Sequence, residues 1–380
     1  MSSFLIERTK QIKTTHKIVF ENSTNLKAIP KNSVNLVITS PPYPMIAMWD
    51  EIFSQQNSKI GEALKASKGL QAFEQMHKEL DKVWKGVYRV LKSGGFVCIN
   101  IGDATRTLNE LFSLYSNHSR ILQYLIKLGF NALPDILWRK QTNAPNKFMG
   151  SGMLPAGAYV TLEHEYILIL RKGYKREFIK AADKTNRHES ALFWEERNIF
   201  FSDVWMDIKG TTQILKNKED RARSAAFPFE LAYRLINMYS VKGDTVLDPF
   251  LGTGTTTSAA MASARNSIGY EIDNSLKDTI FKIKDDIVDF SNEYISGRLN
   301  KHIDFVSQRI QSKKTLKHIN NYYGFPVITM QEKKLIFNDL IKAKILSDNI
   351  MEVSYSQNPQ KDFCKEWSTQ FQYSAEIAPK

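Results

Sequence analysis

A hydroxyl side chain, two prolines and a tyrosine follow a run of apolar residues near the start of the chain. The stretch NLVITSPPYPM places Ser40, Pro41, Pro42 and Tyr43 directly after the apolar run. Proline lacks the N–H group that a sheet ladder needs, so a strand must end at this point. The pattern predicts a strand that presents a hydrogen-bonding side chain and an aromatic ring at its carboxyl end. A plain turn and a catalytic loop both fit this pattern.

A second motif combines a strand, a glycine turn and a helix in the stretch TVLDPFLGTGTTTSA. Gly252 and Gly254 allow a tight turn and close approach of the backbone to a ligand. A phosphate-binding P-loop would need Gly-Lys-Ser/Thr at its end, but threonines follow the second glycine. We expect a nucleoside-bearing cofactor here, with Glu271, at the end of the next predicted strand, placed to bind ribose hydroxyl groups. A tight turn without a ligand is the alternative.

Predicted strands and helices alternate along most of the chain. The run VNLVITS is continuously apolar, which is typical of a strand buried on both faces of a parallel sheet. The stretches that follow several predicted strands show the spacing of amphipathic helices. This alternation predicts an α/β fold with a mostly parallel, doubly wound sheet.

The composition describes a basic globular protein. The chain has 380 residues, a net charge of +12 and two cysteines. The charge suggests a polyanionic partner such as nucleic acid, although solvated lysine-rich surfaces would give the same number. Two cysteines cannot build a disulfide framework or a four-cysteine zinc site, so we expect a cytoplasmic protein without a metal. Neither a membrane-spanning run nor a signal peptide is expected from the sequence.

The two motifs together resemble the DNA amino-methyltransferases over about residues 17–275. Ser-Pro-Pro-Tyr precedes Asp-Pro-Phe-x-Gly-x-Gly, and this order is that of the β class, a circular permutation of the same sheet. The resemblance implies a Rossmann-like fold that binds S-adenosyl-L-methionine and methylates an exocyclic amine of a DNA base. A non-catalytic DNA-binding protein and a methyltransferase for RNA or protein fit the order of the motifs less well.

The resemblance also implies roles for individual residues. Phe227 and Pro228 match a segment that walls the methionine part of the cofactor. Asn22 stands where relatives carry Gly-Asp near the adenine, and here the sequence departs from that pattern. The residues expected to bind the cofactor are Asn22, Phe227, Pro228, Asp248, Pro249, Phe250, Gly252, Gly254, Thr255 and Glu271.

The first motif is then expected to be catalytic. Ser40 Oγ and the Pro41 carbonyl would accept the amine hydrogens, Pro42 would stiffen the loop, and Tyr43 would stack on a base flipped out of the duplex. A serine at the first position favours cytosine N4 in this family, with adenine N6 as the alternative. Methylation of a ring carbon would need a thiolate, and neither cysteine fits that role.

Contacts with double-stranded DNA are expected from a polar, basic region at residues 174–220, although a solvated insertion would look the same. We also expect an extension that is basic and mainly helical, a homodimer, and a cognate restriction endonuclease as partner. The residues expected to contact DNA are Trp49, Lys175, Arg176, Arg187 and Arg197. The expected division is a catalytic part (1–173), a target-recognition region (174–220), a cofactor-binding part (221–290) and the extension (291–380).

Overall fold

The structure is a computed structural model that describes residues 12–140, 149–150, 153–210 and 227–364. The strands are β1 Ile12–Val19, β2 Val34–Thr39, β3 Leu91–Ile101, β4 Ala104–Leu108, β5 Leu111–Tyr115, β6 Phe130–Ala132, β7 Ile136–Arg139, β8 Met149–Gly150, β9 Ala158–Tyr159, β10 His164–Lys172, β11 Val204–Trp205, β12 Thr245–Asp248, β13 Asn266–Tyr270, β14 His318–Ile319, β15 Pro326–Val327, β16 Leu340–Ser347 and β17 Ile350–Tyr355. The helices are α1 Asp50–Gln56, α2 Ser58–Lys65, α3 Gly69–Val90, α4 Asn117–Lys127, α5 Ala181–Glu189, α6 Trp194–Phe200, α7 Phe229–Tyr239, α8 Thr255–Ala262 and α9 Lys277–Gln311.

One large sheet organises the fold, in the order β11-β7-β10-β3-β2-β12-β13-β1-β17-β16, with β6 paired to β10. The five strands from β3 to β1 in this order run parallel to one another. Antiparallel strands extend the sheet on both sides. Parallel strands must be linked by crossover connections, and helices supply most of these links here. The α/β class with a parallel centre is confirmed.

Helices cover both faces of this sheet. Side chains of β2 alternate between the two layers: Val37 packs in a core with α3 and α4, and Leu36 packs in a core with α7 and α8. Every residue of β2 is buried, which explains its continuous apolar run. The arrangement is the doubly wound one that the sequence predicts.

The direction of the chain changes between β2 and β12, which are neighbours in the sheet. From β2 the chain continues through α1, α2 and α3 to β3 on one side, and from β12 it continues through α8 to β13 on the other. Loops at the carboxyl ends of these two strands therefore diverge and leave a crevice. Ligands of open α/β sheets bind at such a point.

The expectation of a mainly helical extension after residue 290 is wrong beyond Gln311, where α9 ends. The described chain from there to residue 364 contains strands and short 3-10 turns but no further α-helix. Two of the strands, β16 and β17, join the main sheet, and β17 pairs with β1 over its whole length. Strand β17 pairs with β1, more than three hundred residues earlier in the sequence, and local periodicity does not reveal such a partner.

The expected target-recognition region is described only as far as residue 210, and residues 211–226 lie outside the described residues. Its described part contains α5, α6 and the edge strand β11. α6 is fastened to the long helix α9 through Glu196 and Arg298, whose side chains form hydrogen bonds of 2.6 Å. This part of the region is a packed piece of the domain, and its aromatic residues Phe193 and Trp205 are buried. Within the described residues, no helix is long and apolar enough to cross a membrane.

Candidate active site

The carboxyl ends of β2 and β12 are joined by a buried hydrogen bond. Thr39 Oγ1 donates to Asp248 Oδ1 at 2.6 Å, and Thr256 Oγ1, in the first turn of α8, donates to Asp248 Oδ2 at 2.6 Å. The Phe250 amide also donates to this carboxyl group. Burial raises the pKa of Asp248 from 3.8 to about 6. The carboxyl group therefore holds both motifs together, although they lie two hundred residues apart in the chain.

Both motifs line one cavity at this edge of the sheet. Ser40, Pro41, Pro42 and Tyr43 form one part of its wall, and Trp49, from the turn before α1, lies beside them. The expected cofactor residues that line the same cavity are Asn22, Phe227, Pro249, Phe250, Gly252, Thr255 and Glu271. The sequence thus predicted most of the wall, and the structure brings these residues together.

Three other expected cofactor residues support the cavity without lining it. Asp248 is 2% exposed and bonds within the protein. Gly254 precedes the first residue of α8, and Pro228 precedes the first residue of α7. Their contribution is to the shape of the backbone around the cavity.

The glycine turn leaves room for a ligand. Gly252 has a φ of 57° and a Cβ atom at this position would meet nothing within 4 Å, so the space next to its backbone is open. Gly254 has a φ of 93°, and a Cβ atom there would lie 2.6 Å from Ile283 Cδ1. Gly252 is required because its backbone has a positive φ, which residues with a side chain rarely adopt. Gly254 is required for the same reason and because a side chain there would collide with Ile283.

Glu271 closes the far side of the turn. Its Oε2 accepts a hydrogen bond of 2.7 Å from the Gly252 amide, and its Oε1 accepts one of 2.8 Å from the Asp273 amide. Each carboxylate oxygen can accept a second bond, so both remain able to bind hydroxyl groups. Burial raises the pKa of this carboxyl group above its ordinary value.

The tyrosine of the first motif has a network of partners that the sequence did not indicate. Ser40 Oγ donates to the Tyr43 hydroxyl at 3.1 Å, and that hydroxyl donates to Glu165 Oε2 at 2.9 Å. Asn100 Nδ2 donates to both the Tyr43 hydroxyl (2.9 Å) and Glu165 Oε2 (2.6 Å). Lys140 Nζ lies 3.0 Å from Glu165 Oε1. Asn100 is a polar residue inside the apolar run FVCINIG, and this is the one feature of the sequence from which the network could have been suspected.

Neighbouring groups hold the backbone of the loop in place. The buried Asn117 Nδ2 donates to the carbonyl oxygens of Pro44 (3.1 Å) and Gly102 (3.0 Å). A Cβ atom at Gly102 would approach Tyr43 Cε2 to 3.0 Å, so the glycine makes room for the ring. The loop is therefore fixed before any ligand arrives, which lowers the entropy cost of binding.

Three of the expected DNA contacts lie at the opposite edge of the sheet. Lys175, Arg176 and Arg187 line a second cavity that includes the amino ends of β2 and β3, far from Ser40. Arg176 Nη1 is paired there with Asp244 Oδ2 at 2.6 Å. Arg197, on α6, is exposed and stacks over Phe201 without lining either cavity. Trp49 lines the first cavity beside the candidate catalytic loop, and none of the four cations lines that cavity.

Neither cysteine lies beside the candidate catalytic loop. Cys98 is buried within β3, and burial raises the pKa of its thiol well above its ordinary value. Cys364 lies at the end of the described chain and is exposed. The described residues contain no group of three or more side chains suited to hold a metal ion.

Comparisons with known proteins agree with this geometry. Residues 34–282, more than half of the chain, match the N6_N4_Mtase family, which is described as DNA methylase. The type II methyltransferase M.MthZI of Methanothermobacter thermautotrophicus is 50% identical over 92% of this chain and 98% of its own length. M.MjaI of Methanocaldococcus jannaschii is also 50% identical, over 75% of this chain and 98% of its own length.

A solved structure shares the fold. A putative DNA modification methylase from Thermus thermophilus, in complex with S-adenosyl-L-methionine, is 31% identical with a TM-score of 0.55. The match covers 72% of this chain and 93% of that one. The resemblance based on the two motifs is confirmed, and the chain belongs to the N6_N4_Mtase family of DNA methylases.

Proposed function

We propose that this protein transfers a methyl group from S-adenosyl-L-methionine to the exocyclic N4 amine of cytosine in double-stranded DNA. The observation that carries the proposal is the shared cavity, where the Ser40–Tyr43 loop and the glycine turn form parts of one wall. A donor bound at the turn and a base held at the loop would lie next to each other. Such placement can supply several orders of magnitude in rate.

The residues around the glycine turn fit the methyl donor. The open space beside Gly252 accommodates a ligand against the backbone, and the Glu271 carboxylate has free acceptor sites for the ribose hydroxyl groups. The rings of Phe227 and Phe250 supply apolar wall. When bound, S-adenosyl-L-methionine supplies an electrophilic methyl group. The protein's own contribution is to orient the amine that receives it.

The loop would orient that amine through two acceptors. The lone pair of an exocyclic amine is delocalised into the ring, so the amine hydrogens must be held by acceptors for the lone pair to face the methyl group. Ser40 Oγ and the Pro41 carbonyl are the groups that we assign to this task. The Tyr43 ring would lie against the base, and the rigid backbone of Pro41 and Pro42 keeps the acceptors in place.

The target base must leave the duplex to reach this cavity. An amine inside stacked base pairs is inaccessible to an enclosed site, and enzymes that modify bases therefore flip them out. The half-buried Ser40 and Tyr43 and the neighbouring Trp49 line such a pocket. We propose base flipping for this protein on that ground.

The duplex would lie against the carboxyl edge of the sheet. Two hairpins leave the sheet there, β4–β5 after β3 and β8–β9 before β10, and they touch through stacked rings of Phe112 and Tyr159 with centroids 4.7 Å apart. Leu111, at the tip of the first hairpin, is 70% exposed. We assign target contacts to these hairpins. Lys175, Arg176 and Arg187, at the opposite edge, are not expected to touch the target base pairs.

One experiment tests the reaction and the base together. DNA is methylated with the purified protein, digested to nucleosides and analysed by mass spectrometry, with Ser40→Ala as the matched variant. We expect N4-methylcytosine from the wild type and none from the variant, which should still bind DNA. N6-methyladenine would overturn the choice of cytosine, and equal methylation by both proteins would overturn the role of Ser40.

The 50% identical relatives are named type II methyltransferases, which suggests a role in restriction-modification. We therefore propose a restriction endonuclease of the same specificity as a partner in the cell. Self-association into a homodimer is also an expectation, and sedimentation of the full chain would test it.

A further inference from the structure

Glu165 lies beneath the candidate catalytic loop but belongs to neither motif. It is the second residue of β10, and its side chain is only 13% exposed. Its Oε2 accepts hydrogen bonds from the Tyr43 hydroxyl and from Asn100 Nδ2, and its Oε1 is paired with Lys140. A carboxylate in such a position affects the loop even though it does not line the cavity.

The number of protons around Tyr43 fixes the direction of each hydrogen bond. A phenol hydroxyl has one proton to donate and lone pairs that accept. The Glu165 carboxylate can only accept, so the Tyr43 proton must point to Glu165 Oε2, 2.9 Å away. Asn100 Nδ2 can only donate, so its bond of 2.9 Å uses one acceptor position of the same hydroxyl. The remaining position of the Tyr43 oxygen can only accept.

Ser40 occupies that remaining position. Its hydroxyl lies 3.1 Å from the Tyr43 oxygen and must donate its single proton to it. Once that proton is committed, both lone pairs of Ser40 Oγ are left, and the side chain is an acceptor toward the cavity. A serine without this constraint can rotate its proton toward the ligand and present a donor, which would repel an amine hydrogen.

We propose that Glu165 is a positioning residue for methyl transfer, because it orients the Tyr43 hydroxyl and thereby makes Ser40 an acceptor for the amine of the base. The inference rests on the proposed function of the same site. Glu165 would act through Tyr43 and Ser40 without touching the base. The Lys140 ammonium, 3.0 Å from Glu165 Oε1, pairs with the oxygen that does not face Tyr43, so Oε2 stays directed at the Tyr43 hydroxyl.

The test compares Glu165→Gln, Tyr43→Phe and the double variant in single-turnover methylation of DNA. Both single variants remove the same constraint on Ser40, so we expect each to lower the methylation rate at least tenfold. In the double variant, adding Glu165→Gln to Tyr43→Phe should lower the rate by less than a further twofold. The Tyr43 hydroxyl, through which Glu165 acts on Ser40, is already absent. The dissociation constant for S-adenosyl-L-methionine, measured by calorimetry, should stay within about twofold in all three, since the tenfold effect lies in orientation.

Glu163→Gln is the matched control, because Glu163 lies two residues away and pairs with Arg139 at the surface, at 3.0 Å. Its methylation rate should stay within twofold of the wild type. Full activity of Tyr43→Phe, or independent and additive losses from the two single variants, would overturn the role of Glu165. Tyr43→Phe leaves the pairing of Glu165 with Lys140 and Asn100 intact, so full activity of this variant would overturn the proposal even if Glu165→Gln fails to fold. A wild type that does not methylate DNA would instead overturn the proposed function.

Discussion

Asp248 joins the two motifs through hydrogen bonds, but ionisation of its buried carboxyl group lowers the stability of the fold. Its carboxyl group is enclosed between the ends of β2 and α8, where Thr39 and Thr256 donate to it. These bonds favour the ionised form, but burial has the larger effect and raises the pKa to about 6. The folded protein therefore binds a proton at Asp248 in a pH range where the unfolded chain has released it.

As a consequence, the contribution of Asp248 to the free energy of unfolding depends on pH. Between pH 3.8 and about 6 the folded state holds more protons than the unfolded state, so the contribution of Asp248 to stability falls as the pH rises. At about 1.4 kcal/mol for each pKa unit, the shift corresponds to a loss on the order of 3 kcal/mol. Asp248→Asn removes this ionisation and keeps a similar shape.

We expect the free energy of unfolding of the wild type, relative to Asp248→Asn, to fall by roughly 2–3 kcal/mol from pH 4 to pH 7. Urea denaturation at a series of pH values measures this difference. A difference that is constant over the range would show that the carboxyl group is solvated or that its bonds outweigh its burial.

At the scale of elements, the contact between α6 and α9 explains why part of a basic, aromatic region is structural. Arg298 is 5% exposed; its Nε and Nη2 bind Glu196, and its Nη1 donates to the Tyr233 hydroxyl at 2.7 Å. The guanidinium also lies 4.4 Å from the centre of the Phe337 ring. An arginine so enclosed needs its counter-ion, because an unpaired charge in this position would lack both solvent and partner.

Replacing Glu196 with glutamine should therefore destabilise the fold by about 3–5 kcal/mol. The loss arises from the buried charge of Arg298, so Glu196→Gln combined with Arg298→Met should cost much less than the sum of the two single changes. Thermal and chemical unfolding of the four proteins in a double-mutant cycle measures the coupling. Additive losses would contradict a paired, desolvated contact.

Over the whole molecule, the chain after Gln311 completes the sheet. β17 pairs with β1, and its Met351, Val353 and Tyr355 are at most 1% exposed. The Tyr355 hydroxyl also bonds to Thr14 Oγ1 and donates to the Met261 carbonyl, each at 2.8 Å. Without β17, strand β1 would become an unprotected edge, and edges of this kind pair with other chains.

A chain that ends at Gln311 should accordingly be unfolded or aggregated. The loss of several fully buried side chains, each worth about 2–5 kcal/mol, exceeds the usual stability of a domain. A chain that ends at Cys364 keeps every described contact and is the matched control, with an expected melting temperature close to that of the full chain. Circular dichroism and size-exclusion chromatography distinguish the two. A shorter chain that melts normally but binds DNA weakly would contradict this structural role and indicate that the region contacts DNA.

The local pattern was sufficient for the parallel centre and for both motifs. Ser40 and the glycine turn follow buried strands, and the carboxyl ends of parallel strands meet at one edge, so their convergence was predictable. The charge and aromatic content of a stretch of sequence did not predict at which edge of the sheet it lies. Lys175, Arg176 and Arg187 look like nucleic-acid contacts in the sequence, but the antiparallel direction of β10 carries them to the opposite edge.

The candidate residues for the chemistry could thus be identified from short stretches of sequence, because strand ends, glycine turns and proline-stiffened loops are specified locally. The surroundings of that chemistry were not. Glu165 reaches Tyr43 because β10 and β3 pair in one register, and β17 protects β1 because two strands far apart in sequence meet in the sheet. Pairing between distant strands depends on the packing of the whole core, so these partners became visible only in the folded molecule.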